Sequence, residues 1–292
     1  VNHEIVIYNF RKELVEELLN QGYDIYISSP HGKKIDVLIQ MGCKFIETRI
    51  NRHGINIVED YKLIRFYRKV IKELNPMVVL TYTIKPNIYG GLAAKKHGIP
   101  YIANITGLGT AVENKGLLQH ITVILYKLAF YRIKTVFFQN EENMQFFVNK
   151  KIAFGKHDLL PGSGVNLDQF KYLSYPNDKE IHFAFISRIM KEKGIDYFLE
   201  AAKIIKVQYP NTVFHVCGFC EEDYINILNE YQDKGIIIYH GMIDNVQTLL
   251  TDVHCVVHPS YYPEGMSNVL LEAAASGRPV ITTNRSGCKE TV

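Results

Sequence analysis

The chain has 292 residues, of which 47% are hydrophobic and 22% charged, and its net charge is +3 with histidine neutral. That is apolar material for about two ordinary domains, and too much for a disordered chain. A charge so nearly balanced gives no support to a nucleic-acid binder, although it leaves room for local basic patches.

Helical and strand-like patterns alternate from the start. "FRKELVEELLNQ" carries apolar residues at helical spacing, stops at Gly22 and gives way to the strand-like "DIYISS". "VEDYKLIRFYRKVIKEL" predicts a helix over 58–74, closed by Pro76 and followed by the strand "MVVLTY". On it Lys62, Arg65, Lys69 and Lys72 recur every three or four residues with Arg68 beside them, while Leu63, Phe66 and Val70 fall on the other side. A basic face of that kind suits an anionic leaflet or a polyprenyl diphosphate; its plain alternative is a solvated charged face. "NIYGGLAAKKHG" predicts a helix and "IPYIANI" a strand. Residues 117–138 are apolar but broken by Lys127, Arg132 and Lys134, so they read as a buried or membrane-facing surface helix and not as a span. "TVFFQ" and a helix over "EENMQFFVNK" close the first half. Apolar strands separated by helices imply a parallel sheet covered on both faces.

Residues 161–180 are rich in turn formers and weak in periodicity, which places a domain junction there. We read 1–162 as a first domain, 163–180 as a linker and 181–292 as a second. The second half restarts the rhythm with "IHFAFIS", "GIDYFLEAAKIIKVQY", "TVFHVCG", "YINILNEYQDKG", "IIIYHG", "NVQTLLTD", "VHCVVHPS", the helix around Glu272, and "PVITT". Two doubly wound α/β domains in tandem follow, and ligands of such sheets lie beyond the carboxyl ends of the strands. The five cysteines are scattered and odd in number, as in a reducing compartment, and no signal peptide is visible. Val1 and Val292 both read as cut ends.

Loops after strands are therefore where chemistry is sought. "TIKPNIYGG" offers Thr83, Lys85 and Asn87, with Lys85 as a cation for an acceptor phosphate or simply a surface lysine. "NITGLGT" supplies Asn104, Thr106, Gly107 and Gly109, whose glycines allow close backbone approach. In "SRIMKEKGID", Arg188 and Lys193 flank a helix start at Gly194, an arrangement suited to a diphosphate. In "PEGMSNVLLEAAASGRPV", Ser267 or Asn268 caps a helix and leaves the amides of Met266 to Val269 for an anion. Glu264 precedes that cap, and Glu272 lies one turn inside, among leucines and alanines. An acid so placed is a poor choice for packing and a good acceptor for vicinal hydroxyls. Other signals are weak. "CGFC" ends a strand and does not open a helix, His254 and His258 lack a third ligand, and "GSGVNLDQF" lacks the dinucleotide fingerprint.

Together, "LLPGSGVNLDQF", "SRIMKEKGID" and the stretch from "HGMIDN" to "PVITT", with Glu264 and Glu272 eight apart, resemble the family 4 retaining glycosyltransferases. The first half is similar to members that build bacterial lipid-linked oligosaccharides, capsule or O-antigen. The resemblance implies a GT-B fold, two Rossmann-like domains facing a cleft, the first binding acceptor and the second the nucleotide-sugar donor. It implies that Arg188, Lys193 and the amides after Gly265 neutralise the diphosphate. Glu264, cast as the catalytic residue, contacts donor-sugar hydroxyls, and Glu272 the ribose. The implied reaction moves a hexose or N-acetylhexosamine from a UDP-sugar to a polyprenyl-diphosphate-linked saccharide, without metal or cofactor. It takes place at the cytoplasmic face of the inner membrane, with peripheral contact to anionic lipid and no nucleic acid. The chain departs from the pattern in carrying no histidine in "NITGLGT", where Asn104 or Thr106 stands instead; His3 is no obvious substitute. A sugar-nucleotide 2-epimerase or hydrolase of the same architecture, or a non-catalytic nucleotide-sugar-binding partner, is the alternative.

Overall fold

The computed structural model describes residues 1–51, 56–109, 112, 116–177 and 179–292. They form two compact units, residues 1–163 and 164–292, whose strand pairings are all parallel.

In the first unit α1 (Ile5–Tyr8) and α2 (Lys12–Asn20) lead to β1 (Tyr26–Ser29), α3 (Ile35–Gln40) and β2 (Lys44–Glu47). Among the described residues β1 and β2 pair only with each other. After α4 (Ile57–Leu74) come β3 (Val79–Tyr82), α5 (Gly91–His97), β4 (Tyr101–Ile105), α6 (Leu117–Phe130), β5 (Thr135–Phe138), α7 (Glu141–Asn149) and β6 (His157–Leu159). β3 to β6 line up in chain order. The first unit thus divides its strands over two sheets. An apolar cavity of about 680 Å³ is lined by Ile27 of β1, Leu80 of β3 and Ile71 of α4.

Local chemistry accounts for these boundaries. The Asn56 side chain accepts the amides of Val58 and Glu59 at 3.1 and 3.2 Å and so starts α4. The helix stops at Asn75 in the left-handed conformation, just before Pro76. The helix expected over 87–98 opens instead with a π-turn, Pro86–Gly90, before α5 begins. Its glycines sit hard on the sheet: a Cβ on Gly91 would lie 2.9 Å from the Tyr101 ring. Such π-turns are uncommon and are frequent at functional sites.

The second unit runs β7 (Ile181–Ile186), α8 (Ile195–Gln208), β8 (Thr212–Cys217), α9 (Ile225–Asp233), β9 (Ile238–Gly241), α10 (Val246–Asp252), β10 (Cys255–His258), α11 (Asn268–Ala275) and β11 (Val280–Thr282). The strand order is β11-β10-β7-β8-β9. Along β7 the side chains alternate between two cores. Phe185 joins Phe198, Leu199, Phe214 and Leu228 on one face, and Ala184 and Ile186 join Leu250, Val256 and Ala273 on the other. Helices cover both faces, as a parallel sheet requires.

The segment expected as a linker, 163–180, is packed from Gly164 onward into this second unit. Phe170 is buried in its core, and the Arg278 guanidinium donates to the carbonyls of Leu173 and Ser174 at 3.1 and 2.9 Å. Turn-rich composition hid a segment held by one aromatic anchor and one arginine; Asp178 lies outside the described residues. After β9 the chain crosses to the other side of β7 to lay down β10. The loops after β7 and β10 therefore leave neighbouring strands at the point where the order reverses, the ligand position of open α/β sheets.

Candidate functional site

Three loops of the second unit meet beyond β7, β10 and β11. The first leaves β7 through Arg188 and tightens into a 3₁₀ turn, Lys191–Lys193, that ends at Gly194 with φ +80°. A Cβ on Gly194 would lie 2.2 Å from the Pro259 carbonyl oxygen. Only glycine both adopts this conformation and lets the start of α8 touch the second loop. That second loop is tied back by the amides of Tyr261 and Tyr262, which donate to the Glu192 carbonyl at 2.9 and 3.0 Å.

These ties set the charged groups. Lys193 is 7% exposed, and its ammonium donates to Glu264 Oε1. Burial, and then the Arg188 guanidinium, pull Lys193 down to about 7, and the carboxylate of Glu264 answers its charge. Arg188 Nη1 lies 3.2 Å from Glu221 Oε2. Both cations face the Tyr262 ring, 5.2 Å from its centroid for Arg188 and 5.1 Å for Lys193.

Helix α11 opens at Ser267, whose side chain makes no capping bond, contrary to the expected Ser267 cap. Its backbone amide is taken by the Gly287 carbonyl at 2.7 Å, so one of the amides expected to be free is occupied. Asn268 does not cap either; its Nδ2 reaches the Gly164 carbonyl at 3.4 Å. The amides of Asn268 and Val269 lie in the first turn, where a helix has no internal acceptor to offer. Glu272 follows about 6 Å along the axis. Its carboxylate has no hydrogen-bond or ion-pair partner among the described residues, and burial pushes it up to about 7.

The third loop was not anticipated from the sequence. Gly287, at φ +87°, presses against the second loop so closely that a Cβ would lie 2.5 Å from Glu264 Cβ. Glu290 fixes it by accepting the Gly287 amide at 2.6 Å and the Ser286 hydroxyl at 3.0 Å. "NRSGCKE" has turn chemistry but no charge pattern, and its one signal is the glycine.

The expected acceptor residues lie in the first unit, at the carboxyl ends of β3 and β4. Lys85 is no free cation: its ammonium is 2.9 Å from Asp60 Oδ1 and both side chains are largely buried. Asn104 is buried, with an unpartnered Oδ1, while its carbonyl accepts Asn87 Nδ2 at 3.2 Å. Thr83 holds φ +67°, a strained value for a β-branched residue. Thr106 is half-buried, and Gly107 and Gly109 both use positive φ; Thr110, the last residue of "NITGLGT", lies outside the described residues.

Also in the first unit, Lys62, Arg65, Arg68, Lys69 and Lys72 of α4 are all exposed, while Leu63, Tyr67 and Ile71 are buried. Arg68, Lys69 and Lys72 share a shallow open depression with Lys96 and His97. On α6, Leu117, Ile121, Ile124 and Leu128 form an exposed apolar stripe. Among the described residues no helix is long and apolar enough to cross a membrane.

Four histidines are linked to one another, and His258 is not among them. His182 Nδ1 meets His215 Nε2 and His215 Nδ1 meets His240 Nε2, each at 2.9 Å, while the His182 amide donates to His254 Nδ1 at 3.1 Å. Burial drives the Cys217 thiol up to about 12, opposite to what thiol chemistry needs.

Residues 180–292 match the family described as glycosyl transferases group 1, and residues 4–140 that described as glycosyl transferase 4-like. The chain is 28% identical over 303 residues to the N,N'-diacetylbacillosaminyl-diphospho-undecaprenol alpha-1,3-N-acetylgalactosaminyltransferase of Campylobacter jejuni, covering 98% of this chain and 80% of that protein. It is 26% identical over 296 residues to the Escherichia coli UDP-Gal:alpha-D-GlcNAc-diphosphoundecaprenol alpha-1,3-galactosyltransferase, covering 93% and 74%. Among solved structures, a glycosyltransferase from Rickettsia africae superposes with a TM-score of 0.77 at 20% identity, covering 98% of this chain and 78% of that one. Anabaena Alr3699/HepE in complex with UDP and glucose gives 0.74 at 16% identity, covering 94% and 77%. At these identities the structures speak to the fold.

Proposed function

From a chain that belongs to the GT-B glycosyltransferases, group 1 in its second unit and 4-like in its first, we propose a transferase acting on a lipid-linked saccharide. It moves a hexose or N-acetylhexosamine from a UDP-sugar to a polyprenyl-diphosphate-linked acceptor, with retention, in surface-polysaccharide or glycan synthesis. The relatives' names support the substrate classes. The observation that carries the donor site is Glu272: a half-buried carboxylate with no partner among the described residues, one turn inside a helix whose Asn268 and Val269 amides have no internal acceptor. Paired ribose hydroxyls satisfy the acid, and the diphosphate satisfies the amides.

Arg188 and Lys193 then stabilise charge where it develops, on the departing diphosphate, and this is where a preorganised site accelerates most. Glu264 holds hydroxyls of the donor sugar and fixes the anomeric carbon. The C1–O bond to the diphosphate breaks, the acceptor oxygen bonds C1 on the same face, and its proton passes to the diphosphate. Positive side chains and helix amides do the work that a metal does in other transferases, so the reading needs no ion.

The exposed basic face of α4 and the apolar stripe of α6 support a peripheral contact with an anionic membrane on the cytoplasmic side, the first through charge and the second through shallow burial. A donor screen tests the reaction. Protein, polyprenyl-diphosphate saccharides and the common UDP- and GDP-sugars are combined, and sugar in extractable lipid is counted. Incorporation from one UDP-sugar that Glu264→Ala abolishes is the expected result. Free sugar or an epimerised nucleotide with no lipid product overturns it.

A further inference from the structure

We infer that Tyr262 is a positioning residue, holding Arg188 and Lys193 side by side for the donor's diphosphate. The inference rests on the reading of those two cations as the diphosphate's partners. Two positive groups that converge on one ligand repel each other before the ligand arrives, and Arg188 already weighs against the Lys193 charge. Something must keep them together in the empty site and must not compete with phosphate in the filled one.

Two kinds of group bear on the argument among the described residues around these cations. Glu264 and Glu221 are carboxylates. A diphosphate carries the same sign as these acids and competes with them for the charge of Lys193 and Arg188. The Tyr262 ring is different. Its face attracts a cation through the π quadrupole and carries no net charge. It lies 5.2 Å from Arg188 and 5.1 Å from Lys193, within the range where that attraction counts. It keeps its hold when the carboxylates are displaced.

The ring is also fixed in place. The Tyr262 amide donates to the Glu192 carbonyl at 3.0 Å and to Ser260 Oγ at 3.3 Å, and its carbonyl accepts the Glu264 amide at 2.8 Å. Ser260 is fully buried, its carbonyl holds the Thr283 hydroxyl at 2.5 Å, and Pro263 stiffens the chain on the other side. The backbone that carries the ring is thus tied to the turn that carries Lys193, which couples the ring to that cation.

The test measures affinity of the full chain for UDP and for uridine by calorimetry, at low and high salt. Tyr262→Phe keeps the ring and is expected to bind both within about twofold of the parent, whereas Tyr262→Leu loses about tenfold for UDP. Uridine affinity is unchanged in both, and the salt dependence of UDP binding flattens in the leucine variant. A destabilised loop would lose uridine as well, which counts against positioning. A phenylalanine variant as weak as leucine assigns the effect to the hydroxyl and overturns the inference. If Tyr262→Leu binds UDP normally while Arg188→Ala and Lys193→Ala do not, the inference fails and the donor-site reading stands. If those two alanine variants also bind UDP normally, both fail.

Discussion

The clearest single residue is Glu272, because packing and ligand binding ask opposite things of it. Its folded carboxyl sits at about 7 against an ordinary 4.5, the cause being burial. Above pH 7 both folded and unfolded chains carry the charge, and the folded one bears the desolvation cost. As pH falls from about 7 toward 4.5 the folded protein takes up a proton that the unfolded chain does not, and stability rises. At about 1.4 kcal/mol per pH unit the cost above pH 7 is about 3 kcal/mol. Glu272→Gln is therefore expected to raise the melting temperature at pH 8, with the gain fading toward pH 5. The same variant should weaken UDP binding by about tenfold, since the neutral amide is a poorer acceptor for hydroxyls than the carboxylate. A variant that melts lower at pH 8 would mean that the carboxylate has a counter-ion and is not waiting for a ligand. The signal was legible in the sequence as far as it goes, because an acid between "LL" and "AAA" is locally inconsistent, and such inconsistencies gather at functional sites.

At the scale of elements, α4 is the one whose two faces ask for different solvents. Its buried row of Leu63, Tyr67 and Ile71 packs on the first unit, while five cations stand exposed on the other side, with Glu73 3.9 Å from Lys69. Near an anionic leaflet each basic residue is worth about 1 kcal/mol, so Lys62→Glu, Arg65→Glu and Lys69→Glu together should cost at least roughly a hundredfold in vesicle binding. Sedimentation with phosphatidylglycerol vesicles measures this, with phosphatidylcholine vesicles as the uncharged control. Unchanged binding would return α4 to a plain solvated face. The helix and its basic stripe were legible because periodicity reports on local burial. Other features were not. β6 is three residues, His-Asp-Leu, with no alternation to read, and it exists because β5 offers it an edge. The π-turn at Pro86 follows from the closeness of Gly90 and Gly91 to β3 and β4, which no local pattern encodes. Lys85 looked like a free cation because Asp60, its partner, is 25 residues away in sequence. The third loop of the candidate site escaped for the same reason: Gly287 makes its close approach to Glu264, and contacts between distant segments leave no periodic trace.

Over the whole molecule the chemistry is divided by unit. Every residue assigned to the donor, from Arg188 to Glu272, belongs to residues 164–292, and so does the third loop that presses on Glu264. That unit has its own five-stranded sheet with a core on each face, and the former linker contributes Phe170 to one of them. On the donor-site reading, the residues named for it and the partners named for them above all lie within residues 164–292, so the site should outlive separation from the rest of the chain. A fragment of residues 164–292 is expected to fold and to bind UDP within about threefold of the full chain, a difference below 1 kcal/mol. It should transfer no sugar, because the residues proposed for the acceptor lie in the other unit. Starting the fragment at residue 181 instead should cost stability, since it deletes Phe170 and leaves Arg278 without the carbonyls of Leu173 and Ser174. A large buried aromatic is worth about 3–5 kcal/mol in a core. Calorimetry with UDP and thermal melts of the two fragments decide the matter. If the longer one folds but does not bind UDP, the donor site draws on the first unit and the division proposed here is wrong. If the shorter one melts no lower, the packed segment is a linker after all.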